Sequence, residues 1–149
     1  MGLQVARITN PKAMLAADVQ ALFRAAVAKS PIAGGDFDAA AGDFVDLVAN
    51  PKIGVFVGVE NGEFRSLCII GLPTDRLTPY PQVIHFYNRG SKELREAMVE
   101  TGRRWIIENG YARFWLIQAS GHSDKAWRKT FRRAGKAKTI GSVMEVEIG

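Results

Sequence analysis

The chain has 149 residues, 47% hydrophobic and 23% charged, with a net charge of +5 and one cysteine. These values exclude a disordered or fibrous chain and suit one buried core, so a single domain over residues 1–149 is expected. A lone Cys68 excludes an intrachain disulfide or a cysteine metal cluster. No apolar run nears the roughly 20 residues that span a bilayer. The opening MGLQVARITN also lacks the basic and apolar regions of a signal peptide, so no membrane partner is expected. The expected location is the cytoplasm or the inside of a particle.

Leu3, Val5 and Ile8 alternate, with one slip, in a first strand that runs to Thr9. Asn10-Pro11 then supplies a cap and a proline allowed in the first helical turn. The spacing predicts one helix from there to about Lys29, with Leu15, Val19, Leu22, Phe23 and Val27 on a single stripe. Ser30-Pro31 and Gly34-Gly35 end it. Asp38 is placed to cap a second helix whose Phe44, Val45 and Val48 face inward, and Asn50-Pro51 stops that helix.

IGVFVGV and FRSLCIIGL flank Glu60-Asn61-Gly62-Glu63, and Asn-Gly between β-rich runs predicts a tight hairpin. Strands two and three are therefore antiparallel neighbours. After a turn-rich loop from Pro73 to Pro81, Val83 to Tyr87 reads as strand four. Asn88-Arg89-Gly90-Ser91 turns the chain into helix three, which carries Leu94, Met98, Trp105 and Ile106 on one face. Gly102 permits close approach of a neighbouring backbone, and Asn109-Gly110 forms a left-handed C-cap.

Phe114 to Ile117 is apolar throughout, as suits a central strand covered on both faces. A fourth helix runs from about Ser123 to Gly135, and Val143, Val146 and Ile148 alternate in a last strand from Ser142 to Ile148. The order is β-α-α-β-β-β-α-β-α-β.

His85, inside strand four, carries an imidazole that titrates near neutral pH, as a general base requires. The plainer alternative is a histidine packed between layers. His122, in Ser120-Gly121-His122-Ser123-Asp124, either contacts a ligand or caps helix four with its neighbours. Two isolated histidines without cysteine or carboxylate spacing make no metal site. Between Lys125 and Lys138 stand seven Lys or Arg and no acid. On helix four, Lys125, Arg128, Lys129, Arg132 and Arg133 form a cationic face opposite Trp127 and Phe131. Such a face is either solvated or binds anions.

Strand four running into Asn88-Arg89-Gly90, with helix four ending in Phe131-Arg132-Arg133-Ala134-Gly135, resembles the GNAT superfamily of N-acetyltransferases. The resemblance covers essentially the whole chain. It implies an α/β fold with a mixed central sheet, helices one and two on one face and helix three on the other. Strands four and five would be parallel and splayed around the pantetheine of acetyl-CoA. Backbone N–H groups at Arg89, Gly90, Ser91 and Lys92 would cradle its pyrophosphate. The acetyl acceptor would be a small-molecule amine, a protein N-terminus or a lysine, with His85 or a water removing the proton. The basic face would then meet the adenosine phosphate of CoA.

The chain departs from the family's pattern at identifiable places. Counted from Arg89, positions normally held by small residues carry Lys92 and Leu94, which would narrow the cradle. Phe131 stands where many members have a tyrosine that protonates the leaving thiolate. These departures support a second reading, a catalytically inactive GNAT-shaped binding or assembly module. That reading resembles the small GNAT-like proteins of tailed phages, some of them virion-associated, with the basic helix contacting nucleic acid or a protein. A homo-oligomer is compatible with both readings.

Overall fold

Asn61 and Gly62 both have positive φ, 53° and 81°, the geometry whose twist matches that of the strands it joins. Across this turn β2 (Ile53–Glu60) and β3 (Glu63–Gly71) pair antiparallel, as their sequence predicts. The computed structural model describes residues 2–29, 37–116, 124–141 and 146–148, and on that hairpin it builds a five-stranded sheet. β1 (Leu3–Ile8) adds antiparallel to β2, and β4 (Gln82–Asn88) adds antiparallel to β3. β5 (Trp115–Leu116) then pairs parallel with β4, so the sheet order is β1-β2-β3-β4-β5.

Side chains alternate across a strand, and here both faces are apolar. Val55, Val57, Leu67 and Ile69 face α1 (Ala17–Ala28) and α2 (Phe37–Ala49), where Leu22, Phe23, Val27, Phe44 and Val48 cover them. Phe56, Cys68 and Ile70 face the other way, under α3 (Lys92–Glu108) and α4 (Asp124–Phe131). Leu94, Met98, Trp105 and Ile106 make that contact from α3, on the face expected of them. Helices one and two thus share one face of the sheet and helix three takes the other.

α3 can lie close because glycines face it. A Cβ on Gly102 would come within 2.9 Å of Ile70 Cδ1. On β2, a Cβ on Gly58 would meet Leu94 Cδ1 at 2.8 Å and Ser66 Cβ at 2.9 Å. At its far end α3 stops at Gly110, with φ of 88°. There the N–H of Tyr111 bonds to Ile106 O and that of Gly110 to Ile107 O, which satisfies the last carbonyls.

Several expectations need correction. Helix one is two pieces: Pro11–Leu15 is a 3-10 segment, Ala16 is extended at ψ of 130°, and α1 starts only at Ala17. Gln20 Nε2 ties the break by donating to Met14 O at 2.8 Å. The shift in phase buries Met14 and leaves Leu15 79% exposed, so Leu15 is not on the inward stripe. α2 begins at Phe37, which puts Asp38 inside it rather than at its cap, and Val45 is exposed beside buried Phe44 and Val48.

α4 ends at Phe131, short of Gly135, and a turn closed by Ala134 N to Phe131 O follows it. Arg132 and Arg133 lie in that turn rather than on the helix. Val146 and Ile148 are exposed and outside the sheet, and the rest of that expected strand lies outside the described residues. Residues 142–145, like Ser30-Pro31, Gly34-Gly35 and Ile117, lie outside the described residues. No helix among the described residues is long and apolar enough to cross a membrane.

Two glycine-to-alanine substitutions should act with opposite sign. Gly58→Ala should lower stability by about 1–3 kcal/mol, because the new methyl meets the Cβ of Ser66, which cannot swing away. Gly42→Ala, in the open on α2, should raise it by about 0.5–1 kcal/mol through helix propensity and unfolded-state entropy. Urea midpoints of the variants check both.

Candidate functional site

The pairing of β3 with β4 slips by one residue. Ile69 lies opposite His85 but Ile70 lies opposite Val83, so Ile84 is the extra residue of a β-bulge. A bulge bends its strand and re-aims nearby side chains. On its other edge, among the described residues, β4 meets β5 through Gln82 with Trp115 and Val83 with Leu116.

His85 and Tyr87 point to the α1/α2 face. The imidazole lies edge-on to Phe44, with ring centroids 6.5 Å apart. Burial pushes its pKa below the ordinary histidine value, which keeps it neutral at neutral pH and therefore able to accept a proton. Tyr87 packs against the same cluster. Phe86 points the other way, into an aromatic group with Trp127 and Phe131 at 6.3 and 5.3 Å. Phe131 is buried in that group and holds α4 to the sheet. His122 lies outside the described residues.

At the end of β4 the residues Arg89, Gly90, Ser91 and Lys92 do come together at the start of α3, but the backbone N–H groups of Arg89, Gly90 and Ser91 are engaged within the chain. Arg89 N donates to Arg65 O and its guanidinium to Phe64 O, each at 2.9 Å. Gly90 N donates to Asn88 Oδ1 at 3.1 Å. Ser91 caps α3 by accepting from Leu94 N at 3.1 Å. Its own N–H donates to Glu60 Oε1 at 3.1 Å, and its hydroxyl donates to the other oxygen of that carboxylate. The positive end of α3 therefore already holds an anion, the side chain of Glu60 from the end of β2.

Leu94 does not narrow the cradle. It is fully buried, and a Cβ on Gly90 would meet its Cδ2 at 2.7 Å, so Gly90 is small to let Leu94 pass beneath it. Lys92 points away, toward Glu96 at 3.9 Å.

Between α3 and the end of α4 lies a cavity of about 240 Å³. Lys129, Arg132 and Arg133 reach it from one side, Lys92 and Arg95 from the other, with Glu96 and Glu100 among them. Lys125 and Arg128 do not line it, and Arg128 Nη2 instead donates to Thr139 Oγ1 at 3.2 Å. Sequence reading missed Glu60 and Arg95. Glu60 reads as part of a hairpin turn, and only the fold brings it to a helix 31 residues away. Cys68 is a buried thiol with its pKa pushed up to about 12, which leaves no thiolate for nucleophilic work.

No known family model and no curated protein matches the sequence. Solved structures do match in three dimensions. The aminoglycoside antibiotic 6'-N-acetyltransferase AAC(6')-Ih from Acinetobacter baumannii aligns over 99% of this chain and 100% of its own, with a TM-score of 0.70 and 11% identity. AAC(6')-Iy, in complex with the bisubstrate analog CoA-S-monomethyl-acetylneamine, aligns over the whole of both chains at 0.68 and 12%. A ribosomal-protein-alanine N-acetyltransferase from Brucella melitensis biovar Abortus 2308 covers 99% of this chain and 100% of its own at 0.66 and 16%. At such identities the likeness is one of fold.

The depressed pKa of His85 gives a stability test. Since the folded value lies below the unfolded one near 6.5, the unfolded state binds the proton first and stability drops as pH falls below that point. The stability difference between the wild type and His85→Gln, from urea melts at pH values on either side of 6.5, should shift against the wild type on acidification. An unchanged difference would show that His85 is not desolvated.

Proposed function

We propose that this chain, which has the GNAT fold, transfers an acetyl group from a CoA thioester to an amine, with His85 removing the amine's proton. The observation that carries the reading is a half-buried imidazole, its pKa lowered by burial, at a bulge in β4. An amine attacks a thioester carbonyl only through its free electron pair. A neutral imidazole takes up the proton shed as the C–N bond forms and the C–S bond breaks. Phe131 has no hydroxyl to offer the departing sulfur, so the leaving thiolate takes its proton from water.

The acceptor class is a primary amine, carried by a small molecule or by a protein N-terminus or lysine. Aminoglycoside and ribosomal-protein acetyltransferases share the fold, and this chain's acceptor belongs to the same chemical range. As the side chains stand, the turn at Arg89 to Lys92 does not fit a pyrophosphate, because Glu60 occupies the Ser91 donors. That occupancy favours a second reading, a GNAT-shaped binding module that performs no transfer.

Thiol release from acetyl-CoA, measured with an amine panel of aminoglycosides, polyamines and peptides, separates the two. Transfer should appear as amine-dependent thiol release. His85→Gln should slow it by about 10²–10⁴-fold and remove the acid limb of the pH profile, which falls below the ordinary histidine pKa in the wild type. Release no faster than in buffer with every amine would leave the binding module.

A further inference from the structure

At the start of α3 the place that would attract a phosphate is filled from within by Glu60. Beyond it, positive charge is left open. Five cationic side chains line the groove between α3 and α4 against two carboxylates. Glu96 is shared by Lys92 at 3.9 Å and Arg133 at 3.3 Å. Glu100 is drawn to Arg103 and Arg104 of its own helix, at 3.5 and 3.6 Å. Among the described residues no carboxylate lies within ion-pair distance of Arg95, Lys129 or Arg132. Arg95 Nε is moreover buried with no acceptor. A buried donor without a partner is costly, and an anion in the groove would supply the missing oxygen.

We propose that the α3–α4 groove, rather than the start of α3, is the phosphate site of this protein, and that it takes a small ligand bearing a diphosphate. Two guanidinium groups and an ammonium need more negative charge than one carboxylate carries, and a planar guanidinium matches phosphate oxygens in pairs. The cations come from both walls, so a ligand is bracketed rather than laid on a surface. A cavity of about 240 Å³ is large enough for a diphosphate group. A free nucleotide and a nucleotide-bearing cofactor share this chemistry. The inference does not depend on acetyl transfer, since a binding module would use the groove in the same way.

Calorimetric titration with inorganic pyrophosphate, ADP and CoA at roughly 50 mM salt tests it. Pyrophosphate should bind. Arg95→Met, and the double substitution Lys129→Gln with Arg132→Gln, should each weaken binding about tenfold or more. Lys125→Gln, outside the groove, should leave binding within about twofold, since a distant exposed charge adds little. Affinity equal for ADP and CoA would identify a nucleotide ligand, and tighter binding of CoA a cofactor. The exposed double variant guards against loss of fold in Arg95→Met, and thermal melts compare them. Absence of binding by all three probes would overturn the proposal. So would loss of binding in Lys125→Gln as large as in the groove variants. Groove binding without amine-dependent thiol release would remove the acetyltransferase reading and leave the groove.

Discussion

The register of the β2–β3 hairpin is the constraint on which the rest of the molecule depends. Asn61-Gly62 closes it in two residues, and the alternation it fixes sends Val55, Val57, Leu67 and Ile69 to one core and Phe56, Cys68 and Ile70 to the other. A slip of one residue would exchange the two sets and present each helix pair with the wrong surface. The hairpin is also irregular at one point. Its register shifts beside Val59, leaving Arg65 as an extra residue whose carbonyl accepts from Arg89 N. The same shift sits next to Glu60, the residue seated on Ser91. Hairpin geometry thus reaches directly to the start of α3.

The sheet separates two kinds of chemistry. His85 and Tyr87 face the α1/α2 layer, where burial keeps an imidazole uncharged. Positive charge gathers on the opposite side, between α3 and α4, where it is only partly neutralised. β4 is the wall between them, and its bulge lies at the boundary.

Much of this architecture was legible in the sequence. The Asn-Gly hairpin, the inward face of α3 and its Gly110 stop follow from local chemistry that acts over a few residues, whereas the parallel pairing of β4 with β5 was implied by the family resemblance. The break at Ala16 was not legible, because alanine is a good helix former and the hydrogen bond from Gln20 to Met14 that accompanies the break has no marker in residue type. The site was half legible. Strand four's histidine and the basic residues could be picked out by type, but what surrounds them could not. The apparent single cationic stripe divides once α4 ends at Phe131: Lys129, Arg132 and Arg133 turn to the groove while Lys125 and Arg128 stay outside. Glu60 and Arg95 look ordinary in a linear reading, and only long-range packing gives them importance.

The buried thiol of Cys68 has a consequence of its own. It lies in the middle of β3 beneath α3, and it is the only sulfhydryl in the chain. With its pKa raised to about 12 it ignores alkylating and disulfide reagents while the sheet stays covered. A thiol reagent can reach it only when the helices over that face lift from the sheet. The protein therefore carries a built-in clock, in which the labelling rate of one native atom reports how often the layer above β3 opens.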